Sequence, residues 1–426
     1  MLEAALRGEG APTRASFSAA ADAEVESLSA SIELDGVTLS QMADLFAPAD
    51  LPVAFEGATN VSLSATASED LGVETIELSA SSNGGQFVWG DLTRNVDRLA
   101  IDIGLDIAGR QLDIVDFDVD AEGFGGRYSA RVDLEEFFEG VEAPDFPITL
   151  SAQDIVFDAT PMFEAPWSIS SLELGGRVKP AERTLDIGRA IGSAGSFSAT
   201  ASGEIYLGEF EGVTELGVRL EAAGEGASTE DALAFWPVNL GKGARDWVKQ
   251  NVSAGRITEA VYAMNFPPGA NSRDFLDNDV LNLAFSLEGG EVSFLSDLPP
   301  ATEAKGRGVL RGNSLSIELD SGKFGEWILD SGNVEMPAFY PRGGDMTVTA
   351  SGRGDLKTLL EILEASRLRA ASRYGVDVER VSGPGGLDIE IVRPMLSDVP
   401  IEDVSLRVVG GFVDAAVPDL AAGFGL

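Results

Sequence analysis

Short runs in which apolar and polar residues alternate recur along almost the whole chain. In one of them Leu28, Ala30, Ile32 and Leu34 alternate with serine and glutamate. A period of two is typical of β-strands, because successive side chains point to opposite faces of a sheet. Gly, Asn or Asp bounds the runs, and no long helices separate most of them, which argues against parallel βαβ units. The pattern predicts an antiparallel meander.

Glycine supports this interpretation. The chain has 49 glycines, many of them in adjacent pairs such as Gly84-Gly85, Gly175-Gly176 and Gly289-Gly290, which we interpret as turns and bulges between strands. We therefore expect a mainly β fold. The expected architecture is an elongated, curved antiparallel sheet with a few short helices and one longer amphipathic helix.

Composition excludes several classes of function. With 30 basic and 70 acidic residues the net charge is −40, so the chain repels phosphate backbones and we expect no nucleic-acid partner. The charge is spread along the chain, which indicates a solvated exterior. Cys and His are absent, which excludes disulfides and nucleophilic triads built on either residue. We expect no cofactor and no enzymatic activity.

One stretch, from Ser228 to Tyr262, interrupts the alternation with helical spacing. Ser228 and Asp231 resemble a capping box, and Pro237 should end the short helix that follows them. A second helix contains Trp247, and we expect Gly255 to be its left-handed cap. The tryptophans of the two helices would form an apolar plug on the sheet beneath.

A second helical pattern runs from Asp355 to Tyr374. One stripe of it is apolar, and at the standard rise such a helix is about 30 Å long. Arg367, Arg369 and Arg373 lie in its second half, where they match the helix dipole. Two interpretations remain: a helix packed on the sheet to cover one opening, or a functional helix that serves as a lid or as a contact with anionic head groups.

Acidic residues offer one candidate metal site. Asp116, Asp118 and Asp120 would share one face of a strand and could bind Ca²⁺. Phe117 and Val119 on the other face give a simpler account, with the polar face outside and the apolar face inside. Among 70 acidic residues no spacing singles out a catalytic carboxylate pair.

The apolar face of each strand must be covered by something. A second sheet would cover it in a sandwich, whereas a long curved sheet could enclose a channel for acyl chains. Such chains need no hydrogen bonds and gain about 0.8 kcal/mol per buried methylene. Alternation alone fits both arrangements.

Part of the chain resembles a known family. The stretch from about Ala227 to Gly411 is similar to the large AsmA-like proteins of Gram-negative bacteria, and in particular to their YhdP-like branch. A second match includes Gly354-Asp355-Leu356 and ends at Arg393-Pro394-Met395, where that branch often has Phe-Pro-Leu. The first match, which we take as a structural signature, comprises Trp236, Pro237, Arg245, Asp246, Trp247, Asn251 and Gly255.

The resemblance implies a bridge-like lipid-transfer protein with a repeating β-groove, anchored in the inner membrane and crossing the periplasm. The implied partners are phospholipid acyl chains, which move toward the outer membrane, a membrane reached through an anchor outside this chain, and envelope proteins. No anchor is visible in the sequence, so we expect a fragment. The alternative is a periplasmic β-rich scaffold that binds protein partners during envelope assembly, without lipid transfer.

We expect groove repeats over residues 1–226, 263–354 and 375–426, separated by the helical insertion at 227–262 and the amphipathic helix at 355–374. The groove lining should come from apolar positions on one face of each strand. These positions are Leu281, Leu283, Phe285, Leu315, Ile317, Leu319, Leu387, Ile389, Ile391, Val404, Leu406 and Val408.

Overall fold

The computed structural model describes residues 2–6, 13–21, 27–38, 53–68, 72–89, 92–160, 163–238, 242–270, 277–293, 298–365, 369–373, 375–396 and 399–416. Contacts divide the chain into two units, Met1–Gly195 with Thr200–Leu207, and Ser196–Ala199 with Gly208–Leu426. Antiparallel strands dominate both units, so the predicted mainly β, antiparallel fold class is confirmed.

The first unit is a meander with one short side ribbon. Its strands are β1 (Leu2–Leu6), β2 (Thr13–Ala21), β3 (Ser27–Val37), β4 (Val53–Glu56), β5 (Thr59–Ser68), β6 (Val73–Ser82), β7 (Gly85–Trp89), β8 (Leu92–Asp106), β9 (Gln111–Ala121), β10 (Phe124–Asp133), β11 (Phe146–Phe157), β12 (Trp167–Lys179) and β13 (Thr184–Ala194). Helix α1 (Glu135–Phe138) lies between β10 and β11. The strands pair antiparallel in chain order, except that β3 pairs with β5 and β6 with β8. The side ribbon consists of β4 and β7, which pair with each other. Strand β7 joins this ribbon to the meander by pairing with β8.

The second unit repeats the meander and adds helices. Strand β14 (Phe197–Phe210) is divided between the two units. The remaining strands are β15 (Val213–Glu225), β16 (Val252–Phe266), β17 (Leu281–Val292), β18 (Ala301–Arg311), β19 (Ser314–Phe324), β20 (Trp327–Met336), β21 (Asp345–Asp355), β22 (Pro384–Pro394) and β23 (Ser405–Phe412). The helices are α2 (Thr229–Ala234), α3 (Lys242–Asn251), α4 (Leu356–Ala365) and α5 (Ala370–Arg373), with 3₁₀ turns at Val378–Arg380 and Ile401–Asp403. From β15 to β23 every strand pairs antiparallel with the next.

Each unit contains a single layer of sheet. Within each unit, every described strand is hydrogen-bonded into the same sheet. Fully buried apolar residues form two small clusters in the described residues, one around Leu34, Val37 and Val61 and a larger one in the second unit. The described strands of each unit thus form an open, curved antiparallel sheet and not the two separate, facing sheets of a sandwich.

Paired glycines occupy bulges, as the sequence predicts. The pairing register shifts at Gly175-Gly176 in β12 and at Gly290 in β17. Gly306 in β18 also lies at a register shift, and a Cβ added there would come within 2.2 Å of the Glu318 carbonyl oxygen. Only glycine lets the two backbones approach this closely.

The predicted helix from Asp355 to Tyr374 is two helices. The first ends at Ala365, and Arg369, just before α5, has a left-handed φ of 42° that breaks helical geometry. The Glu364 carboxylate accepts the Ser372 backbone N–H at 2.9 Å, which gives α5 a partner for its exposed N-terminal amides. Arg367 and Tyr374 lie outside the described residues. In the described part of the chain no helix has the length and hydropathy to cross a membrane.

The steric requirement at Gly306 can be tested by Gly306→Ala. The added methyl group has backbone as its nearest neighbour, so the bulge must shift, and we expect a loss of about 1–3 kcal/mol in the free energy of unfolding. Gly411→Ala is the matched control, because no described atom lies within 4 Å of its added Cβ. Urea denaturation followed by circular dichroism measures both variants. Equal midpoints for the two would contradict the bulge argument.

Candidate functional site

The pairing register of the second unit brings apolar residues from nine consecutive strands onto one face. Directly paired residues of neighbouring strands lie on the same face of a sheet. One row therefore joins β17 to β23 through Phe285, Gly308, Ile317, Val334, Val348, Ile391 and Leu406. A second row joins β15 to β20 through Ala222, Tyr262, Leu283, Leu310, Leu315 and Met336. We call this surface of β15–β23 the apolar face.

The predicted lining residues fall on this surface with one exception. Leu281 and Leu319 extend the rows on β17 and β19, and Leu387, Ile389 and Val408 extend them on β22 and β23. Val404 precedes β23 and is half-buried. The register therefore unites the predicted strand residues, and their contact with lipid stays a prediction.

Exposure changes along the apolar face. Leu281, Leu310 and Leu315 are buried, with 4–6% of each residue exposed, and they form one cluster with Val334 and Met336. At the other end, Leu406 and Val408 of β23 are 58% and 55% exposed. The face thus passes from a closed core to an apolar surface in contact with solvent.

The opposite face of the same strands is polar. Arg307 Nη2 lies 2.7 Å from Glu318 Oε2, and Lys305 Nζ lies 2.7 Å from Glu288 Oε1. The hydrogen bond to Glu288 raises the pKa of Lys305. Exposed pairs of this kind add little stability. Their consequence is that water wets one side of the sheet and apolar side chains occupy the other.

An apolar face of the same kind in the first unit was not predicted as lining. Ile103 of β8 pairs with Leu78 of β6 and Ile114 of β9, and Leu150 of β11 pairs with Leu174 of β12. The alternation that identified these strands also identified their apolar positions. The sequence therefore contained the signal, although the lining prediction used only the second half of the chain.

The three aspartates of β9 belong to the polar face of that sheet. Asp118 Oδ2 lies 2.8 Å from Arg98 Nη1, which neutralises its charge. On the other face the Phe117 ring lies 5.7 Å from the Tyr128 ring. Among the residues that the structure describes, no group of three or more acidic side chains has a geometry that could hold a metal ion. The arrangement supports the structural interpretation of these carboxylates.

A cavity of about 650 Å³ lies over β9–β13, and its lining includes Asp113, Arg131, Glu173 and Arg189. Asp113 and Arg131 form an ion pair, with Oδ1 and Nε 2.8 Å apart. These charged residues, of both signs, are spread over four strands, β9, β10, β12 and β13.

A helical hairpin, α2 and α3, interrupts the strands between β15 and β16. The predicted capping box is present: Asp231 N donates to Ser228 Oγ at 3.0 Å, and Ser228 N donates to Asp231 Oδ2 at 2.9 Å. Helix α2 ends at Ala234, ahead of Pro237. At the end of α3, Asn251 Nδ2 donates to the Trp247 carbonyl at 2.8 Å.

The signature residues Arg245 and Trp236 meet at the tip of this hairpin. Arg245 is 4% exposed, and its guanidinium donates to the carbonyls of Trp236 at 3.1 Å and Leu233 at 3.2 Å. Trp236 packs against the buried cluster of the apolar face. Asp246 and Trp247 are half-buried in α3, and Pro237 is half-buried after α2. The plug predicted from the two tryptophans therefore reaches the sheet through Trp236.

Gly255 does not cap the second helix. Helix α3 ends at Asn251 and β16 begins at the next residue, so no left-handed turn separates them. Gly255 lies inside β16 at a register shift, with φ 151°. A Cβ there would lie 2.8 Å from Leu287 Cδ1. Gly255 therefore allows a β-bulge. A glycine at this position in the sequence is equally compatible with a bulge and with a helix cap, so the pattern alone could not distinguish the two.

Tyr262 is a phenol on the apolar face whose pKa is shifted by its surroundings. Burial raises its pKa to about 12, and its hydroxyl lies 3.0 Å from Met264 Sδ. A buried neutral phenol in an apolar surface is favourable only while it keeps its proton.

The family model described as "YhdP protein" matches residues 115–409. The match covers more than half of the chain, so the chain belongs to this family, and its resemblance to the YhdP-like branch is confirmed. Membership identifies the chain as an envelope protein. The searches of curated proteins and of solved structures returned no match.

The Tyr262 environment predicts a loss of stability at alkaline pH. An unfolded tyrosine ionises near pH 10.0 and the folded Tyr262 near 12. The contribution is complete below pH 10 and is lost as the pH rises to 12, a change of roughly 2–3 kcal/mol. Tyr262→Phe should remove this part of the alkaline loss. Urea denaturation of both proteins from pH 9 to 12 measures the difference, and parallel curves would contradict the assignment.

Proposed function

We propose that the apolar face holds phospholipid acyl chains and carries them between the inner and outer membranes. The observation that supports this most strongly is a continuous apolar face on strands that belong to one hydrogen-bonded sheet in the described residues. A sheet in water normally buries such a face. A bound acyl chain would bury it instead.

The dimensions suit this ligand. The row from Phe285 to Leu406 crosses seven strands, or about 29 Å at about 4.8 Å per strand. That length is close to the thickness of a bilayer hydrocarbon core, about 30 Å. Burial gains about 0.8 kcal/mol per methylene without any directed contact. A binding surface for acyl chains therefore needs length and apolar side chains, which the rows supply.

The chemistry of this function requires no catalyst. The protein would offer a path of lower free energy than water for the acyl chains, while head groups stay in solvent beside the open side of the sheet. We propose a periplasmic location, with an inner-membrane anchor supplied outside this chain. The net charge of −40 keeps the polar face solvated and disfavours adsorption to anionic lipid surfaces.

A second candidate function is a scaffold that binds envelope proteins. Strand β23 favours it: among the described residues it pairs only with β22, and its apolar residues are exposed on both faces. An exposed apolar edge strand is a typical docking site for another strand. This candidate differs from the first in requiring no bound lipid.

A matched pair of substitutions on β23 tests the lipid proposal. Val408 lies on the apolar face and Val409 on the opposite face, with 55% and 53% exposed. Val408→Asn removes apolar area from the lipid path, so we expect transfer of a fluorescent phospholipid between vesicles to slow by roughly threefold or more. Val409→Asn should leave transfer unchanged, because it alters the same strand to the same extent on the other face.

Both valines are exposed, so neither variant should unfold, and circular dichroism verifies this. Equal transfer by the two variants and the unchanged protein would contradict the proposal. Equal loss in both would contradict the assignment of the lipid path to the apolar face, because Val409 lies on the other face of β23.

A further inference from the structure

The helical hairpin lies over the surface that acyl chains would need. Strand β15 ends at Glu225, and a β-bridge joins Ser228 to Arg256 near the start of β16. Helix α3 ends at Asn251, directly before β16 begins. Both ends of the hairpin are therefore attached at the same end of β16, and its tip, with Trp236, extends over the apolar face to the buried cluster.

A buried, charged side chain, that of Arg245, holds the tip of the hairpin in place. The guanidinium of Arg245 bridges the last turn of α2 and the Trp236 carbonyl. Burial of a guanidinium is unfavourable unless its N–H groups are hydrogen-bonded. The Phe235 ring also packs 5.8 Å from the Phe197 ring on β14. These contacts fix the Trp236 backbone more firmly than simple coverage of an apolar patch would require.

Resting on the proposed function, we propose that Trp236 occupies an acyl-chain position on the apolar face and forms a constriction in the lipid path, with Arg245 as its positioning residue. A tryptophan side chain buries about 150–250 Å² of surface. The leucines of the cluster that Trp236 covers, Leu281, Leu310 and Leu315, are buried, with 4–6% of each residue exposed. Lipid and indole compete for it, so Trp236 limits how many chains the face holds at this point.

Site-specific photocrosslinking tests this inference. The benzophenone amino acid p-benzoylphenylalanine is placed at Leu283, which packs against the same cluster, or at Ile389, which lies on the same face on β22. Vesicles of phosphatidylethanolamine and phosphatidylglycerol supply the lipid. Trp236→Ala should increase crosslinked lipid at position 283 by about twofold or more, since the freed area suits an acyl chain. Crosslinking at position 389 should not change.

Trp247→Ala is the matched control. It removes a tryptophan from the same hairpin, but Trp247 is not among the residues that pack against the buried cluster. It should leave both positions unchanged. Arg245→Lys keeps the charge but loses the planar fork, so it should release the tip and raise crosslinking at 283. Trp236→Phe, which preserves a smaller ring, should give an intermediate increase and guards against misfolding of the alanine variant.

The inference is overturned if 389 crosslinks to lipid and no variant of Trp236 or Arg245 raises the yield at 283. It is also overturned if Trp247→Ala raises that yield as much as Trp236→Ala. A different result, no lipid at either position in any protein, would contradict the proposed function itself.

Discussion

The pairing register of the strands determines almost everything else in this protein. In an antiparallel sheet, a residue and its direct partner lie on one face, and a shift of one position would move a whole strand's apolar set to the other side. β-Bulges keep the apolar residues of neighbouring strands on one face where the strands differ in the number of residues between paired positions. Ile114 and Phe117 are three positions apart on β9, yet they pair with Ala130 and Tyr128, which are two apart on β10. The bulge between them keeps both on the same side of the sheet in the first unit.

A single layer leaves that face available to bind a ligand. In a sandwich the same residues would be buried against a second sheet, and only the edges of the sheets would be exposed to a ligand or partner. Here the described strands contact their neighbours, and water meets the polar face through ion pairs such as Arg307 with Glu318. The helical hairpin covers part of the apolar face through Trp236. Family membership indicates an envelope protein, and the fold gives its second unit an apolar surface that is partly exposed.

The sequence predicts the strands and their apolar sides because period two is a local property. The alternation assigns Leu283, Ile317 and Leu406 to the apolar side of their own strands, and the pairing registers place these sides on one face. It could not decide what covers that face, because a sandwich and a single curved sheet require the same alternation. Local patterns failed where tertiary contacts decide. Gly255 forms a bulge that packs against Leu287. Arg369 interrupts the predicted long helix, and the Glu364 carboxylate of α4 accepts the Ser372 backbone N–H of α5.

The central claim is that lipid covers the apolar face, and lipid occupancy measures it most directly. The protein is purified gently from a bacterial envelope and examined by native mass spectrometry, with extraction and identification of whatever co-purifies. The account predicts several phospholipids bound per chain. A folded protein that carries no lipid would contradict it and favour the scaffold.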